Sequence, residues 1–473
     1  MGTINSAMSI VSHALDADQQ ALNVVANNVA NANTPGYVEE KPNWQENQPL
    51  NIDGISYGQG VTETGATSER DHVLESRLDQ QQQLASASGS RLTGLNTLQA
   101  LFTPDSGSSS STAGDIGSDI TSFFDSFSSL EANPTDNALR HNVLSTAGML
   151  AGDVSNAAAS LDSQRSALDQ EAAGVTSQVN SLTSAIAQLN QQIQTVSPSA
   201  DAGTLEDQRQ NDLSQLSKLI GINQITTENN GLAITTTSGQ LLLSGGTSYQ
   251  LTTGTVNGVT DFFVGNTDIT SELAAGGGSL GGYLTARDQD IPGALNSLDQ
   301  LAYSISTEVN TQNNAGTNLD GVTGTAANPL YIFSQPTVVT GSAVSMSVVM
   351  TDPNQIAAAG AGNGTGDNSN ATAMAAMANQ GIVNGQTPTN YYSNFVTTLG
   401  STVSGVQAEN TALNASVTQL QTQNDTLSGV NLNDEASSLT TFERSYQAAS
   451  QVFAMLNTVM AAALNLGDQT AVS

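Results

Sequence analysis

The feature that most constrains this chain is an apolar stripe at heptad spacing near each of its two ends. Near the N-terminus, apolar residues recur in alternating steps of four and three, and only Asp18 interrupts them. Such spacing places the side chains on one face of a helix, as in a coiled coil. The N-terminal stripe comprises Ile4, Met8, Val11, Leu15, Leu22, Val25 and Val29. The C-terminal stripe comprises Leu439, Phe442, Tyr446, Phe453, Leu456, Met460 and Leu464.

Two further stripes lie between the ends, over residues 154–196 and 403–427. The first predicts a very long helix that starts after a cap at Thr135 or Asp136 and ends before Pro198. A helix of that length cannot bury its apolar face against itself, so it needs helical partners. Residues 203–220 are expected to supply one antiparallel neighbour. The sequence therefore favours a long helical bundle.

The pattern changes to short β-type runs between residues 222 and 268, separated by Asn-Gly, Ser-Gly and Gly-Gly turns. These runs predict a small antiparallel β subdomain, and further short strands are expected over residues 338–350. The predicted fold is mainly α with a smaller β part: a coiled-coil-like bundle of the N- and C-terminal segments and the central long helix, plus the β subdomain.

Five regions follow from these changes of pattern. Residues 1–40 form an N-terminal assembly helix, and residues 41–221 form a helical domain with loops and a Gly/Ser-rich linker at 104–118. Residues 222–279 are the β subdomain, and residues 280–371 combine a helix with short β segments. Residues 372–473 form the C-terminal helical assembly segment.

A turn motif ends the first predicted helix. Pro35 disfavours helical backbone at the residue before it, and Pro-Gly suits the two central positions of a type II turn. The motif consists of Asn33, Pro35, Gly36 and Tyr37. We expect the chain to leave this turn in an extended conformation.

Composition excludes several classes of function. The chain has 42 acidic and 10 basic residues and a formal net charge of −32, so it lacks the clustered cations that bind nucleic acids or anionic membranes. It has no Cys, and His13, His72 and His141 are too scattered for a metal centre. Acidic pairs at 288/290 and 434/435 are read as charges at helix starts. We therefore expect no enzyme activity, no cofactor and no metal.

The apolar ends need a facing surface, and two sources are open. The N-terminal stripe can pack on the C-terminal helix of the same chain, or both ends can become ordered only when neighbouring chains cover them. The first residues carry no basic segment followed by an apolar run, so we expect no cleaved secretory signal peptide. No apolar stretch approaches the ~20 residues that span a bilayer.

Two sequence segments resemble the signatures of flagellar axial proteins of the rod, hook and hook-associated families. Residues 27–37 read NNVANANTPGY; residues 429–439 read GVNLNDEASSL and are followed by FERSYQAA at 442–449. Further similarity is to the hook-associated protein 1 family, whose members are hook–filament junction proteins. It lies in segments 130–140, 205–209 and 282–292. The long predicted helix at 154–196 separates the chain from hook proteins, which share only the two ends.

This resemblance implies a structural component of the bacterial flagellum, a junction adaptor that joins hook to filament. It implies type III export of the unfolded chain, an extracellular location and self-assembly into a ring or helical layer, with the terminal stripes and the turn motif as the assembly interface. The implied partners are further copies, the hook protein, hook-associated protein 3 and a flagellar export chaperone. Two alternatives are a hook protein or other flagellar axial protein, and a secreted coiled-coil adhesin.

Overall fold

The structure is a computed structural model that describes residues 2–52, 55–102, 116–197, 202–256 and 258–469. The predicted Gly/Ser-rich linker lies outside the described residues from 104 to 115. Long helices dominate and a smaller share of the chain is in antiparallel strands, as the sequence predicts. The longer helices are α1 (Gly2–Asn31), α2 (His72–Phe102), α3 (Ile116–Ala132), α4 (Asn137–Val196), α5 (Gly203–Leu219), α8 (Ile291–Ala315), α10 (Pro388–Ser428) and α11 (Leu432–Gln469). The shorter helices are α6 (Thr270–Gly276), α7 (Gly278–Thr285) and α9 (Ser369–Ala376).

Helix α4 is the central element of the molecule. Its 60 residues extend over about 90 Å at the rise of an α-helix. Asp136 caps it, because its carboxylate accepts hydrogen bonds from the backbone N–H groups of Ala138 at 2.7 Å and Leu139 at 3.2 Å. Of the two predicted caps, Asp136 is therefore the one used.

Two hydrophobic cores lie along α4. The N-terminal half of the helix packs with α2, α3, α8 and α10 around a group of phenylalanines that includes Phe123, Phe124 and Phe127. The C-terminal half packs with α5, α7 and the strands, and buries Val179 and Ile186. One continuous helix thus contributes to both cores.

The β part comprises a four-stranded and a three-stranded antiparallel sheet, both packed against α4. Neighbouring strands in the chain pair with each other, through tight turns, as the alternating runs and Gly-containing turns predict. The first sheet comprises β5 (Ile222–Thr226), β6 (Leu232–Thr236), β7 (Leu241–Ser244) and β8 (Thr247–Ser248). The second comprises β9 (Leu251–Val256), β10 (Val259–Val264) and β11 (Thr267–Asp268).

A hairpin after α1 folds back along that helix. Its long strands pair with a bulge at Trp44, and a shorter pair extends the hairpin. Near its far end, Asn47 Nδ2 lies 3.3 Å from His13 Nδ1, so the hairpin runs beside α1 towards the N-terminus. The long strands are β1 (Glu40–Glu46) and β4 (Val61–Ser68), and the short ones are β2 (Leu50–Ile52) and β3 (Ile55–Tyr57).

The short strands predicted at 338–350 are wrong. The structure has one isolated bridge there, between Phe333 and Val348, within a long irregular segment. A side chain on α8 binds this backbone instead of a neighbouring strand. The Asp299 carboxylate accepts from the N–H groups of Gly341 and Ala343, both at 2.8 Å. Since side chains satisfy this backbone, it needs no sheet.

The interpretation of Asp288 and Asp290 as charges at a helix start is also wrong. They lie in a π turn (Ala286–Asp290) that joins α7 to α8. Asp290 receives two hydrogen bonds of 2.9 Å from Arg91 on α2, and Asp288 receives two from the buried Arg287. Ion pairing with arginine, not the helix dipole, accounts for both carboxylates.

The two chain ends meet in the structure. Helix α10 packs along α2, and the chain then breaks at 429–431, as the sequence predicts, before α11 begins. Helix α11 packs against α1 of the same chain. Within the described part of the chain, α11 therefore provides a facing surface for α1, and packing by neighbouring chains stays a prediction. We call α1 and α11 together the terminal helix pair.

Candidate assembly site

Asn28, in the last turns of α1, joins the two ends of the chain. Its Nδ2 donates to the Glu40 carbonyl and to Oε1 of Glu435 on α11, both at 2.8 Å. Its Oδ1 accepts from the Tyr37 hydroxyl at 2.8 Å and from the Glu40 N–H at 3.1 Å. The side chain is 1 % exposed and uses its full hydrogen-bonding capacity. One buried amide thus fixes the end of α1, the turn after it and the start of α11.

The turn motif directs the chain from α1 into this contact. Gly36 has φ +81°, a value that glycine adopts at little cost and that the third position of a type II turn requires. The Tyr37 N–H donates to the Thr34 carbonyl at 3.2 Å, which closes the turn. Asn33, Pro35 and Gly36 are exposed. The turn thereby aims the Tyr37 hydroxyl at Asn28.

The segment after the turn binds two other elements through its backbone. Glu39 donates its N–H to the Ser428 carbonyl at the end of α10, at 2.9 Å. The Glu69 N–H donates to the Glu39 carbonyl at 3.0 Å, and the Ser428 hydroxyl donates to the Glu69 carbonyl at 2.9 Å. These three bonds connect the exits of α1, α10 and β4.

Arg70 attaches the same region to the helical middle of the molecule. Its guanidinium donates to Glu75 on α2 and to Asp207 on α5, and its side chain is 3 % exposed. Burial lowers the pKa of Arg70, but Glu75 and Asp207 outweigh that effect, so its pKa is raised and the pairs stay charged. Asp207 also accepts from the Val38 N–H at 3.5 Å. We call these contacts and those of Asn28 the terminal junction.

The junction is rich in carboxylates, and this affects its titration. Burial raises the pKa of the Glu435 carboxyl, and Glu39 and Asp434 raise it further. Burial and the neighbouring Glu40 also raise the pKa of the Tyr37 phenol well above its usual range. Tyr37 is therefore a protonated hydrogen-bond donor throughout the neutral range. Asp434 and Glu435 lie in the first turn of α11, as the sequence predicts, and Glu435 also accepts from Asn28.

The predicted stripe residues lie on the terminal helix pair with different exposures. Ile4, Met8, Val11, Leu15 and Leu22 are half-buried, Val25 is buried and Val29 is 46 % exposed. Phe442, Phe453, Leu456 and Met460 are half-buried, whereas Leu439, Tyr446 and Leu464 are exposed.

The deepest positions of α1 fall beside the predicted stripe. Ala17, Ala21 and Asn28 are at most 4 % exposed, and of the predicted residues only Val25 is equally buried. Small side chains at two of these positions allow close approach by neighbouring backbone. Trp44 of the hairpin packs edge-on against Phe442 of α11, with ring centroids 5.8 Å apart. The hairpin therefore touches both helices of the pair.

Sequence reasoning singled out the turn but not the side chains that hold it. Asn28 and Glu435 stand inside the two signature segments, so the signatures marked their neighbourhood without assigning their contact. Segment 205–209 likewise marked the neighbourhood of Asp207, but no pattern paired it with Arg70, which is 137 positions away. A lone basic residue in a chain this acidic is the one feature that could have indicated a buried ion pair.

A polar cavity of about 200 Å³ is lined by Arg70, Glu75, Glu206 and Arg209, whose charged groups largely pair with protein atoms. Within the described ranges, no group of three or more His, Asp or Glu side chains is placed to hold a metal ion. Among the described helices, none is long and apolar enough to cross a membrane.

The arrangement as a whole defines a class of protein: a subunit whose two chain ends form one helix pair attached to a helical and β middle. The family model described as the flagellar hook-associated protein FlgK helical domain matches residues 105–327. The model described as the flagella basal body rod protein matches residues 6–37.

Characterised relatives align over almost the whole chain. Flagellar hook-associated protein 1 of Salmonella typhimurium is 26 % identical over 559 residues, which cover 97 % of this chain and all of the relative. That of Escherichia coli K12 is 26 % identical, with 98 % and 99 % covered. That of Bacillus subtilis is 25 % identical, with 96 % of each covered. The first alignment is longer than this chain of 473 residues, so that relative carries segments absent here.

A solved structure shares the fold. The flagellar hook junction protein FlgK from Burkholderia pseudomallei superposes with a TM-score of 0.65 at 18 % identity, covering 74 % of this chain and 99 % of that one. The helical-domain match and the relatives that align over almost the whole chain support the flagellar hook-associated protein 1 family. The chain is thus a structural component of the bacterial flagellum that assembles with other flagellar axial components.

Proposed function

We propose that this protein joins the hook to the filament, as an adaptor that assembles through its terminal helix pair. The observation that carries the proposal is the combination of a rigid attachment with an uncovered apolar surface. The terminal junction ties the pair to the middle of the molecule by buried hydrogen bonds, while predicted stripe residues such as Val29, Tyr446 and Leu464 stay 38–59 % exposed. Exposed apolar side chains in a row favour contact with another protein.

The terminal stripes and the turn motif form the assembly interface in this proposal. Residues 1–40 and 372–473 supply the helices for assembly, and residues 41–221, 222–279 and 280–371 form the supporting middle. The partners are further copies of the chain, the hook protein, hook-associated protein 3 and an export chaperone. The chain leaves the cell through the flagellar export route without a cleaved signal peptide and acts outside it. We propose no enzyme activity.

A hook protein or another axial protein is the first alternative. The matches favour the junction role, because the rod-protein model covers only residues 6–37 whereas the hook-associated helical-domain model covers 105–327. A secreted adhesin that binds through its β subdomain is the alternative from a different class. An adhesin of that kind would give the exposed terminal stripes no binding role.

A deletion strain separates these roles. Loss of the gene in its own host should leave hooks without filaments, with flagellin shed into the medium, and the wild-type chain should restore filaments. Electron microscopy of the cells and an immunoblot of the medium measure both. Absence of hooks in the deletion strain would refute the junction role, and normal filaments would refute any axial role.

A matched pair of variants tests the interface in the same strain. Val29 is exposed and belongs to the predicted stripe, while the adjacent Ala30 is exposed and does not. Val29→Glu should be secreted but should fail to hold filaments, because it places a charge in an apolar contact. Ala30→Glu should restore filaments. Equal filament counts for the two variants would contradict an interface at the stripe.

A further inference from the structure

A histidine on α1 contacts the far end of the hairpin formed by β1 to β4. Nδ1 of His13 lies 3.3 Å from Nδ2 of Asn47, the residue that follows β1. Close by, Gln59 Nε2 donates to the Ser6 hydroxyl at 3.4 Å. His13 and Asn47 are both half-buried, so water competes only in part for their contact. These contacts fasten the far end of the hairpin to α1.

The hairpin itself fixes the orientation of the Asn47 amide. Asn47 Nδ2 donates to the main-chain carbonyl of Gln59 at 3.2 Å, and a carbonyl oxygen can only accept. On the other side of the amide, Asn47 Oδ1 accepts from the Thr62 hydroxyl at 2.7 Å. The NH₂ group therefore faces His13, and Nδ1 of His13 must accept the hydrogen bond. The contact requires a neutral imidazole with its proton on Nε2.

A second proton on His13 removes this hydrogen bond. Both ring nitrogens of an imidazolium are donors, so the N–H at Nδ1 would face the N–H of Asn47. Turning the Asn47 amide round does not restore the contact, because its Oδ1 would then lie against the Gln59 carbonyl oxygen. Histidine changes its charge between about pH 8 and pH 5. The contact is therefore incompatible with the acidic form of the side chain.

Carboxylates belong to both elements that meet at His13. Within the described ranges, none of them forms an ion pair with His13. Two of the four are exposed, and salt screens the attraction that exposed carboxylates exert on an imidazolium. Helix α11 also packs against α1, but its residues 445–467 include no charged side chain and only one titratable group, Tyr446. The carboxylates are the exposed Asp16 and the half-buried Asp18 on α1, and the exposed Glu46 and the half-buried Glu63 on the hairpin.

We propose that His13 and Asn47 form a pH switch, in which the neutral imidazole holds the hairpin against α1 and the imidazolium releases it. The inference goes beyond the proposed function, because it concerns a change of conformation within one chain. The switch stabilises the docked hairpin at alkaline pH, and this contribution is lost as the pH falls. Burial raises the pKa of the Glu435 carboxyl, so that group acts in the opposite direction and becomes more favourable in acid.

Release has a consequence that can be measured in the hairpin. A two-stranded hairpin is at best marginally stable by itself in water, so it depends on the helices beneath it. Its backbone hydrogen bonds, such as the one of 2.9 Å from the Asn47 N–H to the Gly60 carbonyl, then open more often. The amides of β1 and β4 therefore exchange their hydrogens faster when the hairpin is released.

Hydrogen exchange of the purified full-length chain, followed by mass spectrometry, tests the switch. His13→Asn offers an acceptor oxygen to Asn47 and takes up no proton in this pH range. The variant and the wild type are compared at the same pH, so the intrinsic exchange rate cancels. We expect equal rates for hairpin peptides at pH 8. At pH 5.5 the wild type should exchange roughly two- to ten-fold faster, the factor that one typical hydrogen bond contributes to an equilibrium constant.

Two further variants complete the test. His72→Asn is the matched control, because the His72 side chain is 67 % exposed and lies outside the hairpin, so this variant should follow the wild type at both pH values. His13→Lys places a permanent charge opposite Asn47 and should exchange faster than the wild type at pH 8. Acrylamide quenching of Trp44, the only tryptophan of the chain, should rise in the same variant, because Trp44 packs against Phe442 when the hairpin is docked.

Three results would overturn the proposal. The first is the same pH profile of hairpin exchange in the wild type and in His13→Asn. The second is slower exchange of the wild type than of His13→Asn at pH 5.5, which would give the switch the wrong sign. The third is a hairpin that is unprotected at pH 8 in the wild type, because the docked contact would then be absent. If His13→Asn does not fold, equal exchange and equal quenching in His13→Lys and the wild type at pH 8 would still refute the switch.

Discussion

Replacing Asp79 by Asn should remove a pH dependence from the stability of the folded chain. Asp79 lies on α2, is 2 % exposed and accepts hydrogen bonds from Gln210 Nε2 on α5 at 3.0 Å and Gln224 Nε2 on β5 at 2.8 Å. Burial raises the pKa of this carboxyl from 3.8 to about 6, although the two amide donors oppose the shift. The ionised form is therefore less favourable in the folded chain than in the unfolded chain.

The magnitude follows from the shift. A difference of about 2 pH units corresponds to roughly 3 kcal/mol at about 1.4 kcal/mol per unit. Because the folded carboxyl binds its proton more tightly, protonation of Asp79 contributes to the free energy of unfolding. This contribution is present in full below pH 3.8 and is lost as the pH rises through about 6. At pH 7, Asp79→Asn should accordingly be more stable than the wild type by up to about 3 kcal/mol, and the difference should shrink towards pH 4.

Urea unfolding followed by circular dichroism between pH 4 and pH 7 measures the difference directly. Subtracting the two curves removes the contribution of the other carboxylates, including Asp207 and Glu435, whose pKa values burial also raises. Asp125→Asn, at an exposed position on α3, controls for loss of one negative charge. Parallel curves for wild type and Asp79→Asn would refute the reasoning, since the burial of Asp79 would then have no energetic consequence.

Two further predictions concern packing. Asn28→Ala should destabilise the terminal helix pair by about 2–4 kcal/mol, because Glu435 loses its amide donor in a buried position. Faster hydrogen exchange of the α1 amides would show this loss of stability. Unchanged exchange would contradict the prediction. Gly282→Ala should destabilise the chain by about 1–3 kcal/mol, because the new Cβ would clash with the Ala87 carbonyl oxygen. The new Cβ of Gly174→Ala on α4 would have no neighbouring atom within 4 Å, so this variant should instead stabilise the folded chain by up to about 1 kcal/mol. Equal melting temperatures for the two glycine variants would contradict the close packing around Gly282.

The sequence predicted best those features that depend on neighbouring residues. The cap at Asp136, the turn at Gly36 and the break between α10 and α11 each follow from a few adjacent side chains, and all three occur. The long heptad stripe likewise predicted α4, which begins at Asn137 and ends at Val196. In each case the local backbone preference and the tertiary structure agree.

The features that the sequence did not reveal depend on distant residues. Asn28 and Glu435 are 407 positions apart, and no periodic pattern pairs one buried amide with one carboxylate. The segment 338–350 was predicted as strand, but Asp299 on α8 accepts from two of its backbone N–H groups. Both contacts depend on buried polar side chains, which look like ordinary polar residues in a sequence.

The assembly site was predicted as two stripes, and these remain predictions of function. The structure adds that the predicted row on α11 is covered unevenly, because Leu439 and Tyr446 are exposed whereas Phe442 and Phe453 are half-buried. Apolar spacing identifies a helix but does not state how many neighbours that helix has.

The continuity of α4 determines how the middle of the molecule comes apart. Leu150 and Leu161 lie in one core and Val179 and Ile186 in the other, on the same unbroken backbone. Unfolding either core would remove the packing contacts of half of that helix. A helix without tertiary contacts is only marginally stable in water. The loss would then spread along the backbone into the other core. Calorimetry should therefore record a single heat-absorption peak for both cores.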